Sequence, residues 1–258
     1  MSTIHFYKYQ ATGNDFVIID NRESKLTFSK DQIIQLCHPK FGIGADGLML
    51  IENDSKVNFH LEYFNSDGSK SLCGNGCRAA VQFASHLGLV NGQTTFNAFD
   101  GIHSAEILPS GNIRLKMNDV ANVKAIGDDF YIHTGSPHYI RFVEAIQDYA
   151  VFEEGKKIRY SQAFAPGGTN VNFVALLDDN TIFVRTYERG VENETLSCGT
   201  GITAAALAAS FKGYNSPVKI KSLGGDLSVE FKTSQSGTFQ DIYLIGPAKM
   251  VFKGQLEL

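Results

Sequence analysis

No run of apolar residues in this chain approaches the length needed to span a bilayer. The opening MSTIHFYKYQ also lacks the apolar core of a signal peptide, so a soluble, cytoplasmic protein with no membrane contact is expected. Basic runs and basic helix faces are missing too. With 23 Lys and Arg against 27 Asp and Glu, a formal net charge of -4, nothing is shaped for a phosphate backbone, and no nucleic-acid partner is expected. Cysteine is scarce: four in 258 residues is too few for a secreted disulfide framework and favours thiols kept reduced. Zinc would require a close cluster such as C-x2-C with a second pair. Cys73 and Cys77 are separated by three residues and no matching pair stands near Cys198, so no metal is expected.

What the chain does have is one stretch that occurs twice. Residues 73–88 read CGNGCRAAVQFASHLG and residues 198–213 read CGTGITAAALAASFKG. A shift of 125 positions lays Cys73, Gly74, Gly76, Ala79, Ala80, Ala84, Ser85 and Gly88 on identical residues, half of a sixteen-residue window. Each copy opens with a Cys and two glycines, continues in good helix formers and closes on a Gly where a helix should stop. Each therefore places a thiol at a helix N-terminus, where free N–H groups and the positive end of the dipole favour thiolate and attract anions. The duplication argues for two domains, with the two mouths facing one small acidic ligand. A disulfide between Cys73 and Cys198 on oxidation would be an inactive form.

Around these helices the pattern is of short strands. Ile4 to Tyr9 and Phe16 to Ile19 flank a turn at Thr12-Gly13-Asn14, and Ser29 with Gln32 forms a capping box for a helix that Pro39 ends. Phe41 to Gly47 contains G-x-G-x-x-G. A dinucleotide fingerprint must follow a strand and open a helix, whereas here a helix precedes and a strand-like run follows, so it reads as a glycine-rich loop. Strand-like runs cover Val57 to Phe64, Thr94 to Phe99, Ile102 to Leu108 and Ile113 to Met117. Periodicity fades around Asn118 to Gly127, which sets the boundary between domains at 1–120 and 121–249. The final run 250–258 is free to pack back on the first. The second half repeats the plan, with strands at Asn172 to Leu177, Thr181 to Glu188, Val218 to Leu223, Leu227 to Phe231 and Ile242 to Ile245. Asn14-x-Phe16-Val17 and Asn170-x-x-Phe173-Val174 are a weaker echo of the same duplication. AAALAA, from Ala204 to Ala209, is apolar on every face and suits a helix enclosed by sheet.

Two thiols flanking one carbon suit proton abstraction from one face and delivery to the other, which inverts a stereocentre. A thiol of pKa near 8.5 lowered by about 1.5 units contributes only about 2 kcal/mol. The helix N–H groups must supply most of the rest by holding a carboxylate as it takes on enolate character, in a site closed to water. A Schiff-base cofactor or a metal could also acidify that proton, and the sequence carries no signal for either.

The motifs TGNDF (12–16), GIGADG (42–47), FNSDG (64–68), CGNG (73–76), GSPH (135–138), TNVN (169–172), YERG (187–190) and CGTG (198–201) together resemble the diaminopimelate epimerase family, in order and through nearly the whole chain. The resemblance implies an α/β (α+β) fold of two pseudo-symmetric domains, each a barrel-like, mostly antiparallel sheet around a central helix, with the active site in the cleft between them. It implies an isomerase that needs neither pyridoxal phosphate nor any other cofactor and works as a homodimer. That enzyme interconverts LL- and meso-2,6-diaminopimelate for lysine and peptidoglycan precursors. Carried over by residue, Cys73 and Cys198 are the acid/base thiols, and Gly74, Asn75, Gly199 and Thr200 cradle the reacting carboxylate. Asn14 and Glu188 take the reacting amine; Asn65, Asn170 and Arg189 hold the distal head, with Ser136 beside it. His138 and Glu188 modulate the thiol pKa values. Some members carry Gln where Gly47 stands and Asn where Ser136 stands. Proline racemase and hydroxyproline epimerase, the nearest rivals, carry His where Asn75 stands, and their cyclic substrates have no use for Arg189. A binding protein for a dicarboxylic amino acid would need the helix mouths but not the thiols.

Overall fold

The computed structural model describes residues 3–23, 26–234 and 238–257. The chain divides into two compact units, Met1–Leu115 with Gly246–Leu258, and Lys116–Ile245.

In the first unit β1 (Thr3–Ala11) and β2 (Asn14–Asp20) form a hairpin. Its two turn residues, Thr12 at φ 49 and Gly13 at φ 85, take the left-handed conformations that match the twist of paired strands. Ser29 and Gln32 close the expected capping box on α1 (Lys30–Cys37). The glycine-rich loop that follows leads into β3 (Gly47–Glu52) and opens no helix. After β4 (Phe59–Asn65) comes α2 (Gly74–His86), then β5 (Gln93–Ala98), β6 (Gly101–Ile107) and β7 (Ile113–Lys116). Helix α2 packs on β1, β2, β3, β4 and β6. Its Phe83 lies against Tyr7 and Tyr9 of β1, with ring centroids 4.8 and 5.7 Å away.

The second unit begins at Lys116, and the stretch where the periodicity fades holds more structure than the pattern announces. β8 (Val123–Ile126), β9 (Asp129–His133) and β10 (Pro137–Phe142) are followed by α3 (Val151–Arg159). Then come β11 (Asn170–Leu176), β12 (Thr181–Glu188), β13 (Asn193–Thr195), α4 (Gly199–Ser210), β14 (Val218–Ser222), β15 (Gly225–Thr233) and β16 (Phe239–Gly246). Last, β17 (Lys249–Glu257) pairs antiparallel with β1 and belongs to the first unit. Helix α4 is wrapped by β9, β10, β11, β12, β14 and β15, and Gly201 to Ala209 are all buried. The all-apolar AAALAA segment thus sits where its composition requires.

The strand pairings expose the duplication. From β1 to β7 the pairs run antiparallel, parallel, antiparallel, parallel, antiparallel, antiparallel. The same series joins β9, β10, β11, β12, β14, β15 and β16. In the parallel pairs Phe16 faces Gly47 and His138 faces Asn170. Register therefore matches Phe16 with His138, Asn14 with Ser136 and Gly47 with Asn170. The echo between Asn14 and Asn170 in the sequence is not a structural equivalence; the true repeat is Thr12-Gly13 with Thr134-Gly135.

Helix α3 supports β11 and β12, the strands that carry Asn170 and Glu188, and it does so at close range. A Cβ placed on Gly155 would lie 2.4 Å from the Tyr187 Cβ. Gly to Ala inside a helix ordinarily stabilises by up to about 1 kcal/mol. Here Gly155→Ala is expected to lower stability by about 1–3 kcal/mol through overpacking. Urea denaturation of the variant against wild type measures the sign.

Candidate active site

Both repeated cysteines are N-caps. Cys73 precedes α2 and Cys198 precedes α4, each in extended backbone, and all four cysteines are free thiols. At the first mouth the Gly76 N–H donates to Cys73 Sγ at 3.4 Å, so the sulfur takes one of the helix's free donors. Gly74 and Asn75 fill the rest of this first turn. Asn14, delivered by the β1–β2 turn, accepts at Oδ1 from Cys73 Sγ (3.3 Å) and from Asn75 Nδ2 (3.4 Å).

The Asn14 amide is oriented from behind. Its Nδ2 donates to Asp46 Oδ2 at 2.5 Å, and the same oxygen accepts from the Asp15 N–H at 3.1 Å. Asp15 in turn is paired with the buried Lys8 ammonium at 2.6 Å, and Lys8 donates to the Gly44 carbonyl. Asp46 keeps an exposed surface, yet packing around its carboxyl holds it above the usual carboxylate range, with the bonds from Asn14 and Asp15 pulling the other way. The glycine-rich loop thus braces the first mouth. Asp46 had no assigned role in the sequence, although its place in that loop beside Asn14 was a signal.

Asn65 ends β4, and its side chain is engaged within its own turn. Oδ1 accepts from the Tyr63 hydroxyl at 3.1 Å, while Nδ2 donates to Ser69 Oγ at 2.9 Å and Ser71 Oγ at 3.0 Å. Tyr63 also explains Gly47. A Cβ at Gly47 would lie 2.6 Å from Tyr63 Cε2 and 2.6 Å from the Phe64 carbonyl oxygen. The tyrosine occupies the space a side chain at 47 would use, and it brings a hydroxyl there.

The second mouth is a different environment. Cys198 Sγ lies 3.5 Å from Thr200 Oγ1, which lies 2.9 Å from His138 Nε2. Ser136 Oγ is 3.0 Å from the same nitrogen, and the Thr134 hydroxyl donates to the Thr200 carbonyl at 2.8 Å. His138 Nδ1 sits 2.9 Å from Asn172 Oδ1, and Asn172 Nδ2 donates to Thr186 Oγ1 at 2.7 Å. Since the amide's nitrogen is spent on Thr186, its oxygen must face the ring. Nδ1 therefore carries the proton, and Nε2 offers its single lone pair to the Thr200 and Ser136 hydroxyls, of which one donates at a time. Burial pushes His138 down to about 4 against the Asn172 bond, so the ring is neutral at pH 7. Gly201 is required for this packing: a Cβ there would lie 2.4 Å from Asn172 Nδ2. Nothing in the motif TNVN assigns Asn172 a role, though its alternation with Asn170 on one strand puts both on one face.

Asn170 opens β11 and is fully engaged, donating to Ser136 Oγ (3.2 Å) and Pro137 O (2.9 Å) and accepting from the Arg189 N–H (2.8 Å). Glu188 ends β12, half-buried, and the exposed Arg189 donates from Nη1 to the Gly167 carbonyl at 3.3 Å. Within the first unit the structure gathers Asn14, Cys73, Gly74 and Asn75. Within the second it gathers Ser136, His138, Asn170, Cys198, Gly199 and Thr200. Among the described residues no group of three or more His, Cys, Asp or Glu side chains is placed to hold a metal ion, and no helix is long and apolar enough to cross a membrane.

Comparison with known proteins bears on what these mouths do. The sequence pattern of the family described as diaminopimelate epimerase matches residues 6–123 and 130–251. The diaminopimelate epimerase of Flavobacterium psychrophilum is 46% identical over 251 residues, covering 96% of this chain and 98% of the relative. That of Aquifex aeolicus is 40% identical over 276 residues, covering 98% of each. Among solved structures, a PhzF-family phenazine biosynthesis protein of Bacillus anthracis matches all of both chains with TM-score 0.78 at 15% identity. A hydroxyproline epimerase of Agrobacterium vitis, with bound trans-4-hydroxy-L-proline, matches with TM-score 0.66 at 15% identity, covering 99% of this chain and 93% of that one. At such identity the structures show a shared fold alone.

His138 makes stability depend on pH. An exposed imidazole protonates near 6.5 and the folded one near 4, so the unfolded chain binds the extra proton first as pH falls. Stability from this residue is complete above about 6.5, declines as pH drops and is lost near 4, a total of about 3 kcal/mol. His138→Gln is expected to flatten the difference between urea midpoints measured at pH 7.5 and 5; an unchanged difference contradicts this assignment.

Proposed function

The chain belongs to the diaminopimelate epimerase family, and on that premise we propose that it interconverts LL- and meso-2,6-diaminopimelate by passing the α-proton between two thiols. The observation that carries this reading is the pair of cysteine-capped helices in two units of identical strand order. One thiolate, Cys73 or Cys198 according to direction, takes the proton from the α-carbon. The electron pair left behind spreads into the carboxylate, whose oxygens are held by the N–H groups of Gly74 and Asn75 on one side and Gly199 and Thr200 on the other. The opposite thiol then delivers its proton to the other face. Thiol and thiolate have exchanged places, the stereocentre is inverted, and no atom is gained or lost.

In this reading the mouths come together over one α-carbon in the cleft between the domains, and closure excludes water. Asn14, fixed by Asp46 so that its carbonyl oxygen faces the thiol, accepts from the substrate amine together with Glu188. Asn65, Asn170 and Arg189 hold the distal head, Arg189 forking the second carboxylate. A monocarboxylic amino acid would offer the Arg189 guanidinium no second carboxylate, and selectivity follows from that lost pairing. The neutral His138 acts on Cys198 through Thr200. The same resemblance assigns the enzyme to the cytoplasm as a homodimer supplying lysine and peptidoglycan precursors.

Proton NMR of the reduced protein with LL-diaminopimelate in D2O, with nothing else added, tests the activity. Loss of the α-proton signal with appearance of the meso isomer is expected, whereas conversion of proline and not of diaminopimelate would overturn the assignment. Cys73→Ser and Cys198→Ser are each expected to lower turnover by at least about 100-fold with the urea midpoint kept. Asp46→Ala, which releases the Asn14 amide, is expected to lower kcat/KM by about ten-fold, or about 1.4 kcal/mol, measured in the same assay.

A further inference from the structure

Arg78, one turn beyond the first mouth, is an unexplained charge. It is wholly buried and is the largest fully buried side chain among the described residues. Only Nη2 finds a partner, donating to Thr12 Oγ1 at 3.2 Å; Nε and Nη1 meet no acceptor, and no carboxylate pairs with it among the described residues. A buried cation left in this state is costly. Thr12 itself is a β-branched residue held at φ 49, a backbone region such residues avoid, and it is buried with its hydroxyl on the guanidinium.

The placement points toward Cys73. Helical side chains lean toward the N-terminus, and the Arg78 guanidinium, leaning so, meets Thr12 of the β1–β2 turn. Thr12, to which it is tied, lies in the turn that delivers Asn14 to Cys73 Sγ at 3.3 Å. We propose that Arg78 is a positioning residue for the first thiol, a fixed dry cation that keeps Cys73 the more readily ionised of the pair. The proposal rests on the two-thiol reading above.

The surrounding charges fit this assignment. Burial brings the guanidinium down to about 10, still cationic at neutral pH, and a Cys73 thiolate acts against that fall. Cys77 is wholly buried and pushed far up, with Asp100 of the β5–β6 turn adding to the rise, so it stays a thiol. On β1, the Tyr9 hydroxyl is spent on His86 at the far end of α2. Asp15 is neutralised by Lys8, and Asp46, which reaches Cys73 through Asn14, is held toward its neutral form by the packing around its carboxyl. Arg78, with no exposure, is not screened.

The duplication supplies an internal control. The 125-residue shift lays Arg78 on Thr203, a buried residue whose hydroxyl donates to the Gly199 carbonyl at 2.9 Å. Thr203 carries no charge, the cation that acts on the imidazole of the second mouth is the exposed and solvent-screened Arg189, and that imidazole is neutral.

The test is the pH dependence of iodoacetamide alkylation of the reduced full-length protein, resolved by residue with peptide mass spectrometry. In wild type the apparent pKa of Cys73 is expected about one unit below that of Cys198. Arg78→Met should raise Cys73 by about one unit and leave Cys198 where it was, with Arg78→Lys restoring most of the shift. Arg78→Gln, which keeps a donor for Thr12, serves if the Met variant does not fold. A wild-type Cys73 that titrates at or above Cys198 overturns the proposal without any variant, as does a Cys73 value that ignores the loss of charge. The readout needs no turnover: if the two-thiol reading is what fails, Cys73 titrates as expected but its alkylation leaves activity intact.

Discussion

The free N–H groups at the start of a buried helix are the constraint on which this molecule depends. A helix enclosed by sheet cannot satisfy its first turn with water, so something must accept those hydrogen bonds. In α2 the sulfur of Cys73 takes one, at the Gly76 N–H, and glycines on either side of Asn75 leave the mouth open for an anion. A structural requirement and a chemical opportunity coincide there. In the proposed reading the cap is the acid/base group, and the remaining donors hold a carboxylate that gains charge during reaction.

The cysteine N-cap occurs twice, but the copies have diverged: Cys73 accepts from a first-turn N–H and Cys198 makes no such side-chain cap bond. Strand order and register are preserved, so Phe16 and His138 occupy matching places beside the two mouths. What differs is the electrical surrounding. The first thiol is set between Asn14, braced by Asp46, and a helix that buries an arginine; the second is linked through Thr200 to a neutral histidine fixed by Asn172. If the two thiols trade one proton as proposed, they need not be equal, and unequal surroundings give each a defined starting state.

Much of this was legible in the residues. The repeated C-G-x-G helices, the capping box and the loop with the wrong order for nucleotide binding all depend on local rules, and each stands where those rules put it. What escaped depends on pairing between distant strands. The repeat of Thr12-Gly13 in Thr134-Gly135 is offset by 122 positions where the helices are offset by 125, so a single shift conceals it. Strand β8 is short and half-exposed and shows no alternation, and α3 has no side-chain cap to announce it. Asn172 and Asp46 gain meaning only when His138 and Asn14 are brought beside them. Arg78 carries no sequence signal of burial, yet it is sealed inside.

The central claim is that two separate thiols serve opposite faces of one carbon. Its most direct measurement is the deuterium content of both isomers recovered early in a reaction started from LL-diaminopimelate in D2O. The account predicts one solvent deuterium at the inverted carbon of the meso product and protium retained in the unreacted substrate. Deuterium entering substrate and product at the same rate would mean that one group serves both faces, and would contradict it.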